Sequence, residues 1–187
     1  MSRVGRIRAV IFTGMPGSGK SEAVKVASEL GLQVVRIGDA VWDEVRRRGL
    51  PLVAAEVGRV ANEMRESHGP DVWALRTLEA VDPKGEVVVI DGLRSHAELA
   101  AFREALGEDL VLVLIDCPEE VRFARIASRG REDDTATREA FRARDERELA
   151  WGLEEVLATA DVVIPNTGTL DALRARVRTL LESLVGT

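Results

Sequence analysis

One octapeptide, GMPGSGKS at residues 14–21, constrains the fold of this chain more than any other segment. It follows the apolar run RAVIFT and precedes EAVKVASEL, in which apolar residues recur at helical spacing. A strand, the pattern G-x-x-x-x-G-K-S and a helix, in this order, form the context of a phosphate-binding loop. The sequence therefore predicts a strand, a loop and a helix of an α/β fold, with backbone amides of the loop surrounding a phosphate chain.

The residues of this loop have separate expected roles. We predict that ATP is bound by Gly14, Met15, Pro16, Gly17, Ser18, Gly19, Lys20 and Ser21. The glycines let the backbone turn its N–H groups inward with no side chain in the way. Lys20 is expected to reach the β- and γ-phosphates as a catalytic residue, and the Ser21 hydroxyl is expected to bind Mg²⁺.

Five short runs rich in branched apolar residues predict buried strands: RAVIFT (8–13), LQVVRI (32–37), EVVVID (86–91), LVLVLID (110–116) and ADVVIP (160–165). Segments with apolar residues every three or four positions lie between them, and these predict helices, among them 21–30, 97–106 and 170–184. Strands that alternate with helices predict a three-layer α/β/α fold with a five-stranded parallel sheet.

Two regions interrupt this alternation. At least two consecutive helices are predicted in 39–81, and the polar stretch RGREDDTATR begins at residue 129. We expect one domain over 1–187, with a helical insertion at 39–81 and a short lid region at 129–144.

The composition of the chain limits the kinds of binding partner that we expect. The chain has 187 residues, 45% of them hydrophobic and 31% charged, and a net charge of -6. This acidic balance argues against non-specific binding to nucleic acid or to an anionic membrane. The single cysteine, Cys117, allows no intramolecular disulfide, and no apolar run reaches the ~20 residues of a membrane span. We therefore expect a cytoplasmic protein with a small-molecule substrate.

A carboxylate for Mg²⁺ is expected at the carboxyl end of another strand, where ligands gather in open parallel sheets. Asp91, which closes EVVVID, is the candidate, and Asp116 is the alternative. The alternative explanation for Asp91 is purely structural: the residue would lie in a turn or cap the helix that follows, without binding a metal.

Several classes of protein share this phosphate-binding loop, and the motifs that this chain lacks exclude some of them. A GTPase switch needs N-K-x-D and D-x-x-G, and the chain has neither; it is also too short for an ABC-type or AAA-type motor and lacks their signature segments. A small-molecule kinase instead needs arginines near the transferred phosphoryl group. Such arginines cluster around the predicted lid: Arg125, Arg129, Arg131, Arg138, Arg142 and Arg144. Surface ion pairs are the alternative explanation for any single one of them.

Several motifs carry a family resemblance: GMPGSGK, a GD pair after the second strand, DGLRS after the third, RESHGPD, RGREDD and RDERELAWGL. Their order resembles that of adenylate-kinase-type nucleoside monophosphate kinases and of dephospho-coenzyme A kinases. From end to end, the chain resembles an archaeal family of adenylate-kinase-related P-loop kinases of predicted function. The resemblance implies a P-loop nucleoside kinase-like fold in which the helical insertion at 39–81 binds the acceptor.

The resemblance also implies roles for single residues. Arg125 would lie against the adenine ring, the catalytic Arg129 would contact the phosphates, and the loop with Asn166 and Gly168 would reach the adenine edge. The lid would include Arg131, Asp133 and Arg142. Asp91 would hold Mg²⁺ through water, and Arg94 would hold the acceptor.

Two departures concern the acceptor pocket. Adenylate kinases have an arginine three residues after the GD aspartate, where this chain has Trp42, and their D-G-F-P-R corresponds to the shorter D-G-L-R here. The predicted acceptor site contains Asp39, Trp42, Arg65 and Arg94, with Arg76 as a further cation. The lid has no cysteine, which excludes a zinc-bearing lid.

The acceptor itself is left open by these residues. Arginines suit an anionic acceptor, which favours a nucleoside monophosphate, whereas Asp39 would suit proton removal from a hydroxyl, as in the dephospho-coenzyme A kinases. Asp39 would alternatively cap the helix that follows the second strand. The competing function is a P-loop ATPase that acts as a switch or assembly factor with a protein partner.

Overall fold

The computed structural model describes residues 7–82, 84–129 and 137–185. The strands are β1 Arg8–Thr13, β2 Gln33–Arg36, β3 Val87–Asp91, β4 Leu110–Asp116 and β5 Val162–Pro165. The α-helices are α1 Lys20–Glu29, α2 Ile37–Arg47, α3 Ala54–His68, α4 Val72–Glu79, α5 His96–Leu106, α6 Glu119–Arg129, α7 Arg138–Glu148, α8 Glu154–Ala158 and α9 Leu170–Leu184. A 3₁₀ turn, Gly107–Asp109, precedes β4, and a π-helical turn, Leu149–Leu153, joins α7 to α8.

The five strands form one parallel sheet in the order β2-β3-β1-β4-β5. All five predicted strands are therefore confirmed, with bounds that differ by at most two residues at the ends. β1 lies in the centre, and the phosphate-binding loop leaves its carboxyl end between β3 and β4. This central position places the loop where the strand order reverses, which is the usual ligand site of an open α/β sheet.

Alternation along β1 divides the core into two layers. Ala9 and Ile11 pack with residues of α2, α3, α4, α5 and α8 on one face of the sheet. Val10 and Phe12 pack with α1 and α9 on the other face. Residues one position apart in a strand point to opposite faces, so helices cover both sides of a sheet whose central strands are almost wholly apolar. The predicted three-layer α/β/α fold is confirmed.

The helical segment between β2 and β3 contains α2, α3 and α4, and one buried carboxylate joins two of them. Glu44 on α2 accepts hydrogen bonds from Arg47, Arg48 and, across to α4, Arg76. The hydrogen bonds from Arg47 are the largest cause that lowers the pKa of Glu44, to about 2. Arg76 is thus engaged in packing α4 on α2. Trp73, fully buried, adds a hydrogen bond from Nε1 to the Ala61 carbonyl on α3 (3.2 Å).

One expected local feature is wrong. Asp39 neither ends the second strand nor caps the helix after it, because β2 ends at Arg36 and α2 begins at Ile37. The position of the helix cap falls on Arg36, and Asp39 lies exposed in the first turn of α2. Aspartate in a first turn favours the helix through the macrodipole, and the cap of α2 lies three residues before the one expected from the sequence.

Among residues 7–82, 84–129 and 137–185, none of the helices combines the length and the apolar character needed to cross a membrane.

Candidate functional site

The loop between β1 and α1 has the backbone geometry that the glycine pattern predicts. Gly14 and Gly19 have φ angles of 144° and 113°, in a region that L side chains rarely adopt. A Cβ on Gly14 would lie 2.6 Å from the Ile115 carbonyl oxygen, and one on Gly19 would lie 2.6 Å from Nδ2 of Asn166. Only glycine therefore lets the loop lie against β4 and the segment after β5.

Lys20, the first residue of α1, folds back over this loop. Its ammonium group donates to the carbonyls of Gly14 (2.5 Å) and Met15 (3.1 Å). Burial lowers the pKa of Lys20 from 10.5 to about 8, while the charges of Glu148 and Asp91 raise it and those of Arg122 and Arg144 lower it. The lysine is thus a buried cation whose nearest hydrogen-bond partners are weak neutral acceptors that an anion could replace.

An open cleft of about 190 Å³ lies beside the loop. It is lined by Gly17, Gly19, Lys20, Ser21, Glu22, Arg125 and Ile126. Ser21 is exposed at its edge, in the first turn of α1. Helix N-termini and inward amides attract anions, so the cleft combines one helix end with the charges of Lys20 and Arg125.

The structure brings Arg125 and Asn166 together, as the resemblance implies. Arg125 donates from one terminal nitrogen to the carbonyl and Oδ1 oxygens of Asn166, both at 3.3 Å, and to the Gly168 carbonyl at 3.5 Å. Its other terminal nitrogen contacts Sγ of Cys117 at 3.3 Å. These contacts hold the guanidinium at the wall of the cleft, next to the loop that follows β5.

Arg122 is a site residue that the sequence analysis missed. It is 5% exposed and donates to both carboxylate oxygens of Asp145 on α7 (3.0 and 2.6 Å). The same guanidinium donates to the carbonyls of Pro16 (3.0 Å) and Cys117 (3.2 Å). Arg122 thus joins the phosphate-binding loop, the end of β4 and helix α7. Arg122 could not be recognised as a site residue from the sequence, because its partner Asp145 is 23 residues away in the chain.

The arginines of α7 do not all point to the loop. Arg142 donates to Glu119 (3.0 Å), and Arg138 forms two hydrogen bonds with Glu120. Both acceptors belong to the first turn of α6. Arg144 and Glu148 instead lie close enough to Lys20 for their charges to change its pKa. Glu148, which lies within the motif RDERELAWGL but had no expected role, is a second residue near the loop.

The carboxyl ends of β1 and β3 supply oxygen donors that fit Mg²⁺. Asp91 ends β3 and lies near Lys20, while Ser21 lies at the edge of the cleft. A hydroxyl and a carboxylate are hard oxygen ligands, and Mg²⁺ in phosphate sites takes one or two carboxylates with phosphate oxygens and water. No group of three or more histidine, cysteine or acidic side chains that could hold a metal occurs in the described ranges. Asp116, the alternative, is exposed at the end of β4.

A second cluster lies at the ends of β2 and β3, where the acceptor is expected. Arg36, which sequence reasoning also missed, lies 3.7 Å from Asp91 between Nε and Oδ2. A Cβ on Gly92 would lie 3.7 Å from that of Ile37, so the GD and DG motifs adjoin. The exposed side chains of Asp39 and Trp42, one helical turn apart on α2, lie beside this junction in the chain.

The two predicted acceptor arginines differ in their surroundings. Arg65 lies 3.5 Å from the buried carboxylate of Glu98, an ion pair that joins α3 to α5. Arg94 is exposed, and no hydrogen bond or ion pair links its guanidinium to another described residue. Only its backbone N–H is engaged, with Glu98 (3.0 Å). Of the predicted lid residues, Arg131 and Asp133 lie outside the described residues, as does the side chain of Arg129.

Comparison with curated proteins finds archaeal relatives over nearly the whole chain. The UPF0200/UPF0201 protein of Archaeoglobus fulgidus is 44% identical over 182 residues, which cover 95% of this chain and 56% of that protein. The UPF0200 protein of Methanosarcina barkeri is 40% identical over 178 residues, which cover 95% and 96% of the two chains. The chain thus spans little more than half of the Archaeoglobus relative and nearly all of the Methanosarcina one.

Solved structures resemble the fold at low sequence identity. TT1252 from Thermus thermophilus has a TM-score of 0.62 and 20% identity, covering 97% of this chain and 100% of that chain. Shikimate kinase from Acinetobacter baumannii has a TM-score of 0.56 and 16% identity, covering 97% and 94%. A gluconokinase from Sinorhizobium meliloti has a TM-score of 0.51 and 18% identity, covering 95% of each chain. These likenesses show that the chain has the fold of P-loop kinases.

The family profile described as AAA domain matches residues 10–149, which contain the phosphate-binding loop, Asp91 and α6. AAA-type motors are not expected from the length of the chain and its lack of their signature segments, and this match concerns the domain and carries no motor activity with it. Because this profile matches and two UPF0200 relatives are 44% and 40% identical to the chain, the chain has a P-loop domain of this kind and belongs to the UPF0200 family.

Proposed function

We propose that the protein is a P-loop phosphotransferase that moves the γ-phosphoryl group of ATP to a small nucleotide-like acceptor. A nucleoside monophosphate is the favoured acceptor. One observation carries the proposal: Arg125 lines the same cleft as the glycine loop, Lys20 and the first turn of α1. A planar cation on α6 beside a phosphate-binding loop suits a nucleotide whose base lies on Arg125 while its phosphates bind the loop.

The donor side of the site would work through residues of three segments. Amides of the glycine loop bind the β- and γ-phosphates, and Lys20 exchanges the carbonyls of Gly14 and Met15 for phosphate oxygens. Arg125, held by the oxygens of Asn166 and Gly168, presents a planar cation to the adenine ring. Arg129, one turn further along α6, would contact the phosphates.

Ser21 and Asp91 are the residues that would hold Mg²⁺. A bound magnesium ion would neutralise charge on the β- and γ-phosphates of the nucleotide. Arg36 forms a partly exposed ion pair of 3.7 Å with Asp91 at the end of β3.

The acceptor would bind at the junction of the GD and DG motifs. Arg94 carries a guanidinium with no partner among the described residues, which suits an anionic group of the acceptor. Trp42, with 46% of its surface exposed, offers an apolar ring beside Asp39 on α2. An exposed aromatic ring on α2 and a guanidinium after β3 that has no partner among the described residues fit the base and the anionic group of a nucleotide-like molecule.

Phosphoryl transfer to a panel of acceptors tests the proposal. The panel should contain nucleoside monophosphates, dephospho-coenzyme A and simple hydroxyl compounds, with ADP formation as the readout. We expect one acceptor class to stimulate ADP formation, and Lys20→Ala and Arg129→Ala to abolish it. Lys25→Ala is the matched control, because Lys25 is exposed on the same helix as Lys20.

The panel also separates the kinase from its main rival. If no acceptor stimulates ADP formation while a protein partner accelerates ATP hydrolysis, the kinase proposal is wrong and the loop serves an ATPase switch.

A further inference from the structure

One side chain of α6, Arg122, reaches a backbone group of the phosphate-binding loop. A terminal nitrogen of its guanidinium donates to the Pro16 carbonyl at 3.0 Å. The next residue, Gly17, lies against the same helix, because a Cβ added there would be 3.1 Å from the backbone carbonyl oxygen of Arg122 and 3.0 Å from Cδ1 of Ile126. Helix α6 therefore supports the peptide unit between Pro16 and Gly17 through a hydrogen bond and through close packing.

This carbonyl contact fixes the direction of an amide. In a planar trans peptide the C=O and the following N–H point to opposite sides, so a Pro16 carbonyl held toward Arg122 turns the Gly17 N–H away from Arg122. Gly17 lines the cleft beside the loop, whereas Arg122 does not. No hydrogen bond links the Gly17 N–H to another described residue. This donor is therefore available to an anion in the cleft.

The guanidinium of Arg122 is itself held from several sides. Its two terminal nitrogens donate to the two carboxylate oxygens of Asp145 on α7, at 3.0 and 2.6 Å, and Nε donates to the Cys117 carbonyl just after β4 (3.2 Å). Its Cζ lies 5.0 Å from the centre of the Phe141 ring, and the residue is 5% exposed. A planar fork with a bidentate acceptor and almost no access to water has one preferred orientation.

We propose that Arg122 is a positioning residue for nucleotide binding, which presents the Gly17 N–H to the phosphates while Asp145 holds its guanidinium in the required orientation. The inference rests on the proposed function in that it takes a triphosphate as the ligand. Arg122 does not touch the ligand and acts through the peptide unit between Pro16 and Gly17. Helix α7, which supplies none of the described residues that line the cleft, thus affects phosphate binding through Asp145.

A double variant separates this role from a loss of structure. Arg122→Met combined with Asp145→Leu removes both charges together, and replacing a buried ion pair by apolar side chains of similar size is often neutral for stability. We expect a protein that still folds, checked by urea unfolding. In calorimetry it should bind Mg-ATP and Mg-tripolyphosphate about threefold to tenfold more weakly than the wild type, as for loss of one hydrogen bond.

The comparison of the two ligands identifies the contact that is lost. The losses should be equal, because only contacts to phosphate change. A general loosening of α6 would also move Arg125 and would weaken the binding of Mg-ATP more than that of Mg-tripolyphosphate. Glu120→Gln is the matched control, since it breaks the exposed ion pair with Arg138 between the same two helices and should bind both ligands like the wild type.

The amide resonance of Gly17 gives a second measurement. In the wild type it should move downfield when Mg-tripolyphosphate binds, because the N–H then donates to an anion. Arg122→Lys keeps a charge beside Asp145 but lacks the fork that serves Asp145 and Pro16 at once, so both the downfield shift and the affinity should be smaller than in the wild type.

Three results would overturn the inference. The first is a Gly17 resonance that does not move while the wild type binds Mg-tripolyphosphate. The second is wild-type affinity for both ligands in every folded variant of Arg122, and the third is a loss confined to Mg-ATP.

Failure of the proposed function looks different. A wild-type protein that binds both ligands but transfers phosphate to no acceptor contradicts the kinase proposal and leaves the effect of Arg122 measurable. A wild-type protein that binds neither ligand would overturn both.

Discussion

The side-chain amide of Asn166 donates a hydrogen bond of 2.7 Å to the backbone carbonyl of Ser18, which joins the loop after β5 to the phosphate-binding loop. Asn166 is 4% exposed, and its backbone N–H donates to the Asp116 carbonyl (2.7 Å) at the end of β4. The loop that would hold phosphate is therefore fixed to the edge of the sheet that would hold the base. The phosphates and the base of a bound nucleotide would therefore contact two loops that are joined by hydrogen bonds.

Gly19→Ala tests this close approach. The added Cβ would lie 2.6 Å from Nδ2 of Asn166 and 2.9 Å from Leu173, at a φ of 113° that alanine rarely adopts. The loop must shift or Asn166 must release the Ser18 carbonyl. We expect nucleotide affinity to fall by at least tenfold, measured by calorimetry, in a protein that still folds.

Gly58→Ala is the control for this substitution. Gly58 lies inside α3, is exposed and would have no atom within 4 Å of an added Cβ. It should bind nucleotide like the wild type and gain about 0.5–1 kcal/mol of stability from the higher helix propensity of alanine. Equal nucleotide affinity in the Gly19 and Gly58 variants would contradict the contact.

Nucleotide binding should depend on pH through Lys20. The pKa of Lys20 is lowered to about 8 in the free protein, and phosphate oxygens beside the ammonium group would raise it. Above pH 8 the free lysine is therefore largely neutral, and ATP binding must take up a proton. We expect affinity to fall as the pH rises above about 8, with proton uptake visible as a difference between calorimetric titrations in two buffers of unlike ionisation enthalpy.

The same shift sets the sign of a stability effect. The pKa of Lys20 in the folded chain lies below the ordinary lysine value of 10.5, so the unfolded chain holds more protons between the two values. The free protein should therefore gain stability as the pH rises through this window. Lys20→Met should remove both the proton uptake and this gain; persistence of the uptake in Lys20→Met would assign it to another group.

Sequence reasoning predicted the fold well because each element carries its own signal. The five strands are runs of branched apolar residues in a sheet covered on both faces, and the glycine loop has a local pattern whose φ angles only glycine tolerates. Ser95 caps α5 through its side chain, and Gly31 and Gly49 follow the last turns of α1 and α2. These features depend on neighbours in the chain and not on distant contacts.

The contacts of the site that sequence reasoning missed are long-range. Arg122 and Asp145 are 23 residues apart, and Arg36 meets Asp91 only because β2 and β3 pair in parallel register. An arginine in a charged helix reads as a solvated residue until its partner is known. Arg65 differs from these residues, because it was expected from the sequence to bind the acceptor. In the structure it forms an ion pair with Glu98 of α5.

Breaking the buried pair should cost far more than breaking an exposed one between the same two helices. Arg122 and Asp145 have side chains that are 6% and 13% exposed, so Asp145→Asn leaves a buried guanidinium without its counter-charge. We expect a loss of about 3–5 kcal/mol in the free energy of unfolding, measured in urea.

Glu119→Gln is the matched variant. It breaks the exposed pair with Arg142, whose side chains are 61% and 44% exposed for Arg142 and Glu119, and should cost less than about 1 kcal/mol. Similar losses in the two variants would mean that the Arg122 pair does not hold α7 on the loop.

The two exposed acceptor residues separate the two acceptor chemistries. Arg94, with no side-chain partner among the described residues, suits an anionic group of the acceptor, whereas the Asp39 carboxylate can take a proton from a hydroxyl. If a nucleoside monophosphate is the acceptor, Arg94→Ala should raise the KM for the acceptor tenfold or more and leave the KM for ATP nearly unchanged, and Asp39→Asn should have little effect on kcat. If the acceptor is a hydroxyl, Asp39→Asn should lower kcat by about 10²–10⁴ at unchanged KM for ATP.

Steady-state kinetics with both substrates varied distinguishes the outcomes, and Arg103→Ala, which changes an exposed arginine on α5 away from this junction, is the control. Unchanged kinetics in both Arg94→Ala and Asp39→Asn would show that the second substrate binds elsewhere than at the ends of β2 and β3.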